Sequence, residues 1–232
     1  MILTLKYFIK NIGQVFYLYG LYEGLIFFFS YFKYKKVIKS KIISAHENFN
    51  QSNPGENFNK YLNTNFWIFE NLKRIYELNL HKKEPQSILD LGAGAGYFPY
   101  LCIQYGHTVT ALDMKNNEMY NQIISLLGIH RIEHQISFPK DLPLPANVKY
   151  DLVTAFMICF NNHKQTNLWH IDEWDWFLTF LSKRINKNGK VFLSFNEESI
   201  ENPIDKNLVN YLMQFDTIAD QLNFTLSKKE DS

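Results

Sequence analysis

Residues 87–97 read Ser-Ile-Leu-Asp-Leu-Gly-Ala-Gly-Ala-Gly-Tyr, an apolar run that ends in three glycines at alternate positions. The apolar run predicts a buried β-strand, and a helix is expected directly after the glycines. Because glycine has no Cβ atom, Gly92, Gly94 and Gly96 can adopt positive φ and let backbone N–H groups approach a ligand closely. The predicted helix, residues 97–105, directs its positive end towards the same place. The stretch therefore predicts a ligand-binding turn between a strand and a helix.

A second predicted strand, residues 108–112, ends in Asp113. Nucleotide-binding folds place a carboxylate at this distance after the turn, where it accepts hydrogen bonds from ribose hydroxyls. The dinucleotide fingerprint Gly-x-Gly-x-x-Gly does not fit, because Tyr97 and Pro99 stand where its third glycine is required. The stretch has instead the form acid-x-Gly-x-Gly-x-Gly, beginning at Asp90. These residues together predict a nucleoside-cofactor site.

With this motif, residues 85–195 resemble the class I S-adenosylmethionine-dependent methyltransferases. The resemblance covers about half of the chain and implies S-adenosylmethionine as the cofactor. It implies that residues 92–96, the glycine turn, lie against the amino-acid part of the cofactor. It also implies that Asp90 helps to order this turn and the amino group of the cofactor, and that Asp113 holds the ribose. The further cofactor-binding residues that we expect, in the turn and at the ends of the second to fourth strands, are Ala93, Met114, Ser137 and Phe156.

Strand and helix patterns alternate regularly from residue 85 onwards. The predicted strands are residues 87–91, 108–113, 132–136, 150–156 and 190–195, and the predicted helices are 97–105, 117–127, 171–185 and 203–222. Such alternation requires right-handed crossovers and a parallel sheet that is covered on both faces. We therefore predict an α/β fold, a Rossmann-like, doubly wound, mostly parallel sheet with helices on both faces. After the last helix, residues 223–227 leave room for at most one closing strand, where the family usually has an antiparallel pair.

The N-terminal segment departs from this pattern. Residues 12–32 carry one formal charge, Glu23, and are crowded with Phe, Tyr, Leu and Ile, while lysines precede and follow them. Three interpretations stay open: a helix packed over the domain, a helix in a membrane interface, or a membrane span. The following polar stretch predicts a linker. The predicted division is an N-terminal helical segment at 1–45, a linker at 46–58 and a methyltransferase-like Rossmann domain at 59–232.

Composition narrows the classes of function. The chain has 232 residues and a net charge of +1, so no global field favours a nucleic-acid partner. The two cysteines, Cys102 and Cys159, do not suggest a disulfide framework, and a reducing, cytoplasmic setting is expected. Cys102 falls inside a predicted helix, where we expect it to be buried. The histidines and acids between residues 163 and 175 do not match zinc-site spacing, so no metal site is predicted.

Candidate catalytic residues follow the fourth predicted strand. Residues 157–163 read Met-Ile-Cys-Phe-Asn-Asn-His, and the resemblance implies that this segment faces the methyl acceptor. Methyl transfer from a sulfonium requires alignment above all, and a general base only if the acceptor carries a proton. His163 is the candidate base, and Asn161 and Asn162 are candidates for binding the acceptor. The alternative is a polar loop or a helix cap.

These observations predict an S-adenosylmethionine-dependent methyltransferase with a small-molecule, lipid-linked or saccharide acceptor. The alternative is a non-catalytic partner subunit that keeps the fold and binds the cofactor without turnover. The neutral charge disfavours a nucleic-acid acceptor. The aromatic, partly basic N-terminus allows an amphiphilic acceptor and leaves peripheral membrane contact open.

Overall fold

The chain divides into two units, Met1–Leu78 and Asn79–Ser232. The computed structural model describes residues 2–52, 59–115, 118–157, 169–195, 206–220 and 223–227. The first unit is helical, and the second unit contains a β-sheet with its covering helices.

The first unit is built around a long N-terminal helix. Its helices are α1 (Ile2–Ser52), α2 (Asn59–Leu62) and α3 (Thr64–Glu77). Helix α1 is interrupted at Gly20, whose φ of 77° and ψ of 174° are not helical. Phe27 of α1 is fully buried. Its ring centroid lies 5.2 Å from that of Phe69 and 5.0 Å from that of Tyr76, both on α3. Aromatic packing between α1 and α3 therefore forms the core of this unit.

Helix α1 continues to Ser52, through the first half of the predicted linker at 46–58. No glycine or proline occurs between Gly24 and Pro54, so nothing in that stretch interrupts the helical backbone. Residues 53–58 lie outside the described part of the chain. The division of the chain at residues 45 and 58 stays a prediction.

The second unit contains, within the residues that the structure describes, a seven-stranded sheet in the order β3-β2-β1-β4-β5-β7-β6. The strands are β1 (Ser87–Leu91), β2 (Thr108–Asp113), β3 (Arg131–Glu133), β4 (Tyr150–Phe156), β5 (Ile185–Ser194), β6 (Asp216–Asp220) and β7 (Asn223–Ser227). The first five are parallel, and β7 runs antiparallel to both β5 and β6. Its helices are α4 (Tyr97–Gln104), α5 (Glu118–Leu126), α6 (Ile171–Ser182) and α7 (Lys206–Leu212).

Helices cover both faces of this sheet. Helices α4 and α5 lie on one face, where the start of α4 approaches Ile124 of α5. Helix α6 packs on the other face, where its Trp174 and Phe177 join a buried cluster with Leu91 and Val153. The opposite placement follows from right-handed crossovers, because the strand order reverses between β1 and β4. The predicted Rossmann-like, doubly wound fold is confirmed.

The expectation of at most one closing strand was wrong. Residues 216–220, predicted as part of a helix, form β6 and pair with β7 in the register Asp216↔Ser227 to Asp220↔Asn223. Leu208, Leu212 and Phe215 have helical spacing, and this pattern is the reason why the helix was predicted to continue beyond residue 212. The helix ends at Leu212, and the edge of the sheet supplies a ladder partner to the residues beyond it.

Strand β5 begins earlier than predicted, at Ile185. Its register against β4 shifts between Tyr150 and Leu152, because extra residues of β5, among them Gly189, form a bulge. A Cβ atom at Gly189 would lie 2.8 Å from the Tyr150 carbonyl oxygen, so glycine is required for this close approach. Residues 186–189, which lie between the predicted helix and the predicted strand, are part of β5. Strand β3 is also shorter than predicted and ends at Glu133.

Candidate functional site

All but one of the predicted cofactor residues lie at the carboxyl ends of three neighbouring strands, β1, β2 and β4; the exception is Ser137. Strand β1 lies between β2 and β4, with Asp90 paired to Ala111 on one side and to Thr154 on the other. The glycine turn follows β1, and Asp113 ends β2. The order of the sheet reverses beside β1, and open α/β sheets bind ligands beyond the carboxyl ends of the strands at such a switch point.

The glycine turn has a left-handed backbone at all three glycines. The φ angles are 71° at Gly92, 54° at Gly94 and 79° at Gly96. The N–H groups of Gly92 and Ala93 both donate to the carbonyl oxygen of Leu112, at 2.8 and 3.2 Å. These bonds attach the turn to the end of β2, so its conformation depends on the neighbouring strand as well as on its own residues.

Two of these glycines have different physical roles. A Cβ atom at Gly96 would lie 2.6 Å from Cγ1 of Ile124, so this glycine allows α4 to pack closely on α5. At Gly94, the nearest atoms to such a Cβ belong to the ring of Tyr120, 3.9 Å away. The space beside Gly94 is therefore open, as a turn that accommodates a ligand requires.

Asp113 connects the second strand to the glycine turn. Its Oδ2 accepts a hydrogen bond from the Gly94 N–H at 2.6 Å, and its Oδ1 accepts one from the Met114 N–H at 2.7 Å. Burial raises the pKa of this carboxyl, while the two backbone donors and the charge of Arg131 counteract the rise. Each carboxylate oxygen keeps a further acceptor site, which a ribose hydroxyl can use.

Arg131 is a residue of this region that the sequence analysis missed. Its side chain is 4% exposed and lies 3.5 Å from a carboxylate oxygen of Glu133, and it also donates to Asn121 of α5. The register Ala111↔Arg131 and Asp113↔Glu133 places it on the same face of the sheet as Asp113. The sequence does show a basic residue at the start of the strand that follows Asp113. Its proximity to Asp113 is evident only from the pairing of β2 with β3.

Asp90 is buried beneath the turn. It is 3% exposed, and its Oδ1 accepts a hydrogen bond from the Thr154 hydroxyl at 2.7 Å. Thr154, a second residue that the sequence analysis missed, lies inside an apolar strand pattern that gave no sign of this role. Cys102 is fully buried, as expected, and burial together with the nearby Asp90 charge raises the pKa of its thiol well above the usual value. The ordering of the cofactor by Asp90 stays a prediction.

The remaining predicted cofactor residues differ in position. Met114 is 37% exposed directly after Asp113, where its side chain is accessible to a ligand. Phe156 ends β4, and its ring lies edge-on to that of Phe98 at 4.8 Å. Ser137 lies in the loop beyond β3, where its carbonyl oxygen accepts a hydrogen bond from the Lys140 N–H. Ala93 is partly buried within the turn. Their contacts with a cofactor stay predictions.

The predicted acceptor residues Asn161, Asn162 and His163 lie outside the described residues. The described part of this segment ends at Met157, whose φ of 52° is left-handed and whose N–H donates to the Ser194 carbonyl oxygen at 2.7 Å. A left-handed backbone at a non-glycine residue is uncommon and often occurs at functional sites. The chain therefore leaves β4 through a sharp turn at the edge of the sheet where the glycine turn also lies.

Two acids in the first half of α6, Glu173 and Asp175, have structural partners. Glu173 accepts a hydrogen bond from the His170 N–H at 2.8 Å, which caps the helix, and Asp175 accepts one from the Tyr211 hydroxyl at 2.9 Å. Among the residues that the structure describes, no three His, Cys, Asp or Glu side chains cluster closely enough to hold a metal ion.

No protein-family model and no curated protein sequence matches the chain. Solved structures are similar to it. A TehB-like SAM-dependent methyltransferase from Corynebacterium glutamicum is 12% identical, with 67% of this chain and 86% of that chain covered and a TM-score of 0.47. The Burkholderia thailandensis 1,6-didemethyltoxoflavin-N1-methyltransferase is 16% identical, with 85% of this chain and 90% of that chain covered and a TM-score of 0.46. A 16S rRNA methyltransferase from T. thermophilus is 15% identical, with 70% of this chain and 43% of that chain covered and a TM-score of 0.44.

At these scores, the fold assignment depends on the chain's own strand order and register. Five parallel strands, an antiparallel pair at the edge and a glycine turn after β1 are all present in the described residues. This chain therefore has the fold of the class I S-adenosylmethionine-dependent methyltransferases.

Proposed function

We propose that the protein is an S-adenosylmethionine-dependent methyltransferase. The observation that carries this proposal is the 2.6 Å hydrogen bond between the Gly94 N–H and the Asp113 carboxylate. It joins the end of β2 to the turn after β1, so the proposed ribose-binding and methionine-binding parts lie side by side. The open space at Gly94 supports the fit of a ligand to this turn. Two of the similar structures are those of a SAM-dependent methyltransferase and of a methyltransferase in complex with S-adenosylmethionine.

Calorimetry with S-adenosylmethionine, S-adenosylhomocysteine and NAD tests the choice of cofactor. We expect binding of the first two and much weaker binding of NAD. The reason is that Tyr97 and Pro99 occupy the positions where the dinucleotide fingerprint requires glycine. A clear preference for NAD would end the methyltransferase proposal.

The bound cofactor would supply an electrophilic methyl group on a sulfonium centre. The residues of this chain would hold it, with Asp113 accepting hydrogen bonds from the ribose hydroxyls and the glycine turn lying against the amino-acid part. Met114 would offer an apolar surface to the adenine. The carboxyl edge of the sheet would thereby align the methyl group with an acceptor, which is the main requirement of the reaction.

We propose a small-molecule, lipid-linked or saccharide acceptor in a cytoplasmic setting. The net charge of +1 supports this against a nucleic acid, because phosphate backbones attract basic surfaces. The similar structures include a methyltransferase of a small molecule and a methyltransferase of ribosomal RNA, so they do not decide the class of acceptor. Labelled S-adenosylmethionine incubated with an extract of the source cells would identify the acceptor through the labelled product. A chain that binds the cofactor but labels no product would be a non-catalytic partner subunit.

For a hydroxyl acceptor we propose that His163 is the general base, while Asn161 and Asn162 bind acceptor oxygens or nitrogens. The bound cofactor would supply the methyl group to the acceptor oxygen and would leave as S-adenosylhomocysteine, while the His163 imidazole would accept the hydroxyl proton. His163→Ala should then lower turnover by about 100-fold or more and leave cofactor affinity nearly unchanged. Wild-type turnover should fall as the imidazole becomes protonated at low pH. Normal turnover of the mutant would leave alignment alone as the source of catalysis.

A further inference from the structure

Helix α1 presents a large apolar face to solvent. Between its bend at Gly20 and residue 32, several aliphatic and aromatic side chains are each more than half exposed: Leu21, Tyr22, Leu25, Phe29 and Phe32. We call these five residues the outer face. A contiguous exposed surface of this kind marks an interaction site, whereas scattered single residues do not.

The outer face is distinct from the face of α1 that packs inside the first unit. Phe27 and Tyr31 are buried, and their rings contact Phe69 of α3. Helix α1 is therefore apolar on two sides between residues 20 and 32, and α3 contacts one of them. Residues 11–43 are long enough to cross a membrane, and their most apolar 18-residue window has a mean hydropathy of 1.3, with 28% of that window buried. The core helix of a soluble protein would be mostly buried.

A run of lysines follows the outer face on the same helix. Lys33, Lys36, Lys39 and Lys41 are exposed, and no acidic residue occurs between Glu23 and Glu47. Residues 21–32 extend about 17 Å along the helix axis, and residues 33–41 extend about 12 Å further. By helical spacing Lys33, Lys36 and Lys39 continue the side of α1 that carries the outer face, so this side joins an aromatic and aliphatic region to a basic region without acidic residues.

We propose that the outer face docks on the surface of an anionic lipid bilayer, with α1 lying in the plane of the interface. Apolar side chains would enter the boundary between headgroups and acyl chains, while the lysines would contact lipid phosphates. The apolar outer face and the exposed lysines of α1 both fit this partner. A purely apolar protein groove would leave the lysines without complementary charge, and a purely acidic partner would leave the outer face uncovered.

An interfacial helix fits the first unit better than a membrane span. The opposite side of α1 packs on α3, which carries an ion pair between Lys73 and Glu70 at 3.7 Å and also Arg74 and Glu77. A span would bring these charges towards the hydrocarbon or separate α3 from α1, and charged side chains within a bilayer are costly. An interface allows α1 to keep α3 on its aqueous side.

Vesicle co-sedimentation of the full-length protein tests this inference. The vesicles are pure phosphatidylcholine, or phosphatidylcholine with about 30 mol% phosphatidylserine, each at low and high salt. We expect preferential binding to the anionic vesicles, weakened by salt. Leu25→Ser with Phe29→Ser should lower the partition coefficient by about tenfold or more. Lys36→Gln with Lys39→Gln should lower it by about fivefold for each lysine.

Matched substitutions elsewhere separate this surface from general changes in charge or hydropathy. Ile103 and Met213 of the second unit are 41% and 52% exposed, and the pair Ile103→Ser with Met213→Ser serves as the apolar control. Lys140 and Lys187 are exposed there too, and Lys140→Gln with Lys187→Gln serves as the charge control. Neither control pair should alter vesicle binding.

Four results would overturn the inference. They are equal binding to both vesicle types, equal losses in the control pairs, resistance of the membrane-bound protein to alkaline carbonate, and dissociation of a lipid-free oligomer by the outer-face substitutions. Resistance to carbonate would indicate a span, and a dissociating oligomer would indicate that a second copy covers the outer face. Calorimetry of the same variants with S-adenosylmethionine reports on the cofactor site separately, so failure of one proposal is distinguishable from failure of the other.

Discussion

Replacing Asp113 by alanine should weaken S-adenosylmethionine binding by about 1.5–3 kcal/mol, a rise in Kd of about 10- to 150-fold. The carboxylate oxygens already accept the N–H groups of Gly94 and Met114 at 2.6 and 2.7 Å. The carboxylate is therefore desolvated and oriented before the cofactor arrives. A hydrogen bond to a charged group contributes about 1.5–3 kcal/mol, and the lower limit corresponds to one weak bond to a ribose hydroxyl.

Isothermal titration calorimetry measures this loss, and circular dichroism verifies the fold of the mutant. Asp151→Asn is the matched control, because Asp151 also accepts a backbone N–H, that of Ser87 at 2.9 Å, and the Asn186 side-chain amide at 2.6 Å. Asp151 lies at the amino end of β4, away from the carboxyl edge of the sheet. This control should lower the free energy of unfolding and leave Kd unchanged. A folded Asp113→Ala protein with the wild-type Kd would remove Asp113 from the site.

We expect the Asp113 carboxyl to make both folding stability and cofactor affinity depend on pH. Burial raises the pKa of Asp113 in the folded protein above its value in the unfolded chain, so the folded state binds this proton more tightly. The contribution of this group to stability is therefore fully present below the unfolded pKa and is lost as the pH rises through the folded pKa. Cofactor affinity should change in the opposite sense and fall as the carboxylate is protonated. Asp113→Asn should remove the pH dependence of both stability and cofactor affinity that this carboxyl causes. Denaturant unfolding and calorimetry, each at a series of pH values around the pKa of Asp113, measure the two effects.

Three further substitutions test other parts of the structure. Gly94→Val should abolish detectable cofactor binding in calorimetry, because its side chain would enter the open space of the turn, at a φ of 54° that costs about 1–2 kcal/mol. Thr154→Val should lower the free energy of unfolding by about 1–3 kcal/mol, because buried Asp90 loses a donor at 2.7 Å, whereas serine should restore most of it in denaturant titrations. Phe27→Ala should destabilise the first unit by about 3–5 kcal/mol, because Phe27 is fully buried, and hydrogen exchange measures this loss. Phe29→Ala is the control and should have little effect, because Phe29 is 74% exposed.

The glycine turn and the parallel strands could be predicted from the sequence because their signals are local. The alternating glycines after an apolar run determine a left-handed backbone, and all three glycines have positive φ. Asp113 was identifiable because it ends the next apolar run at a fixed distance. The edge of the sheet could not be predicted in this way. Leu208, Leu212 and Phe215 have the spacing of a helix, while the ladder that stabilises β6 depends on β7.

By itself the sequence determined the strand–turn–helix unit, the doubly wound fold and the residues proposed to hold the cofactor. The tertiary structure decided which contacts these residues make. Thr154 meets Asp90 because β4 pairs with β1, and Arg131 shares a sheet face with Asp113 because β3 pairs with β2. It also decided which apolar side of α1 stays exposed, since α3 contacts the other. The physical reason is range: backbone preferences act between near neighbours along the chain, whereas burial, pairing and charge depend on residues that folding alone brings together.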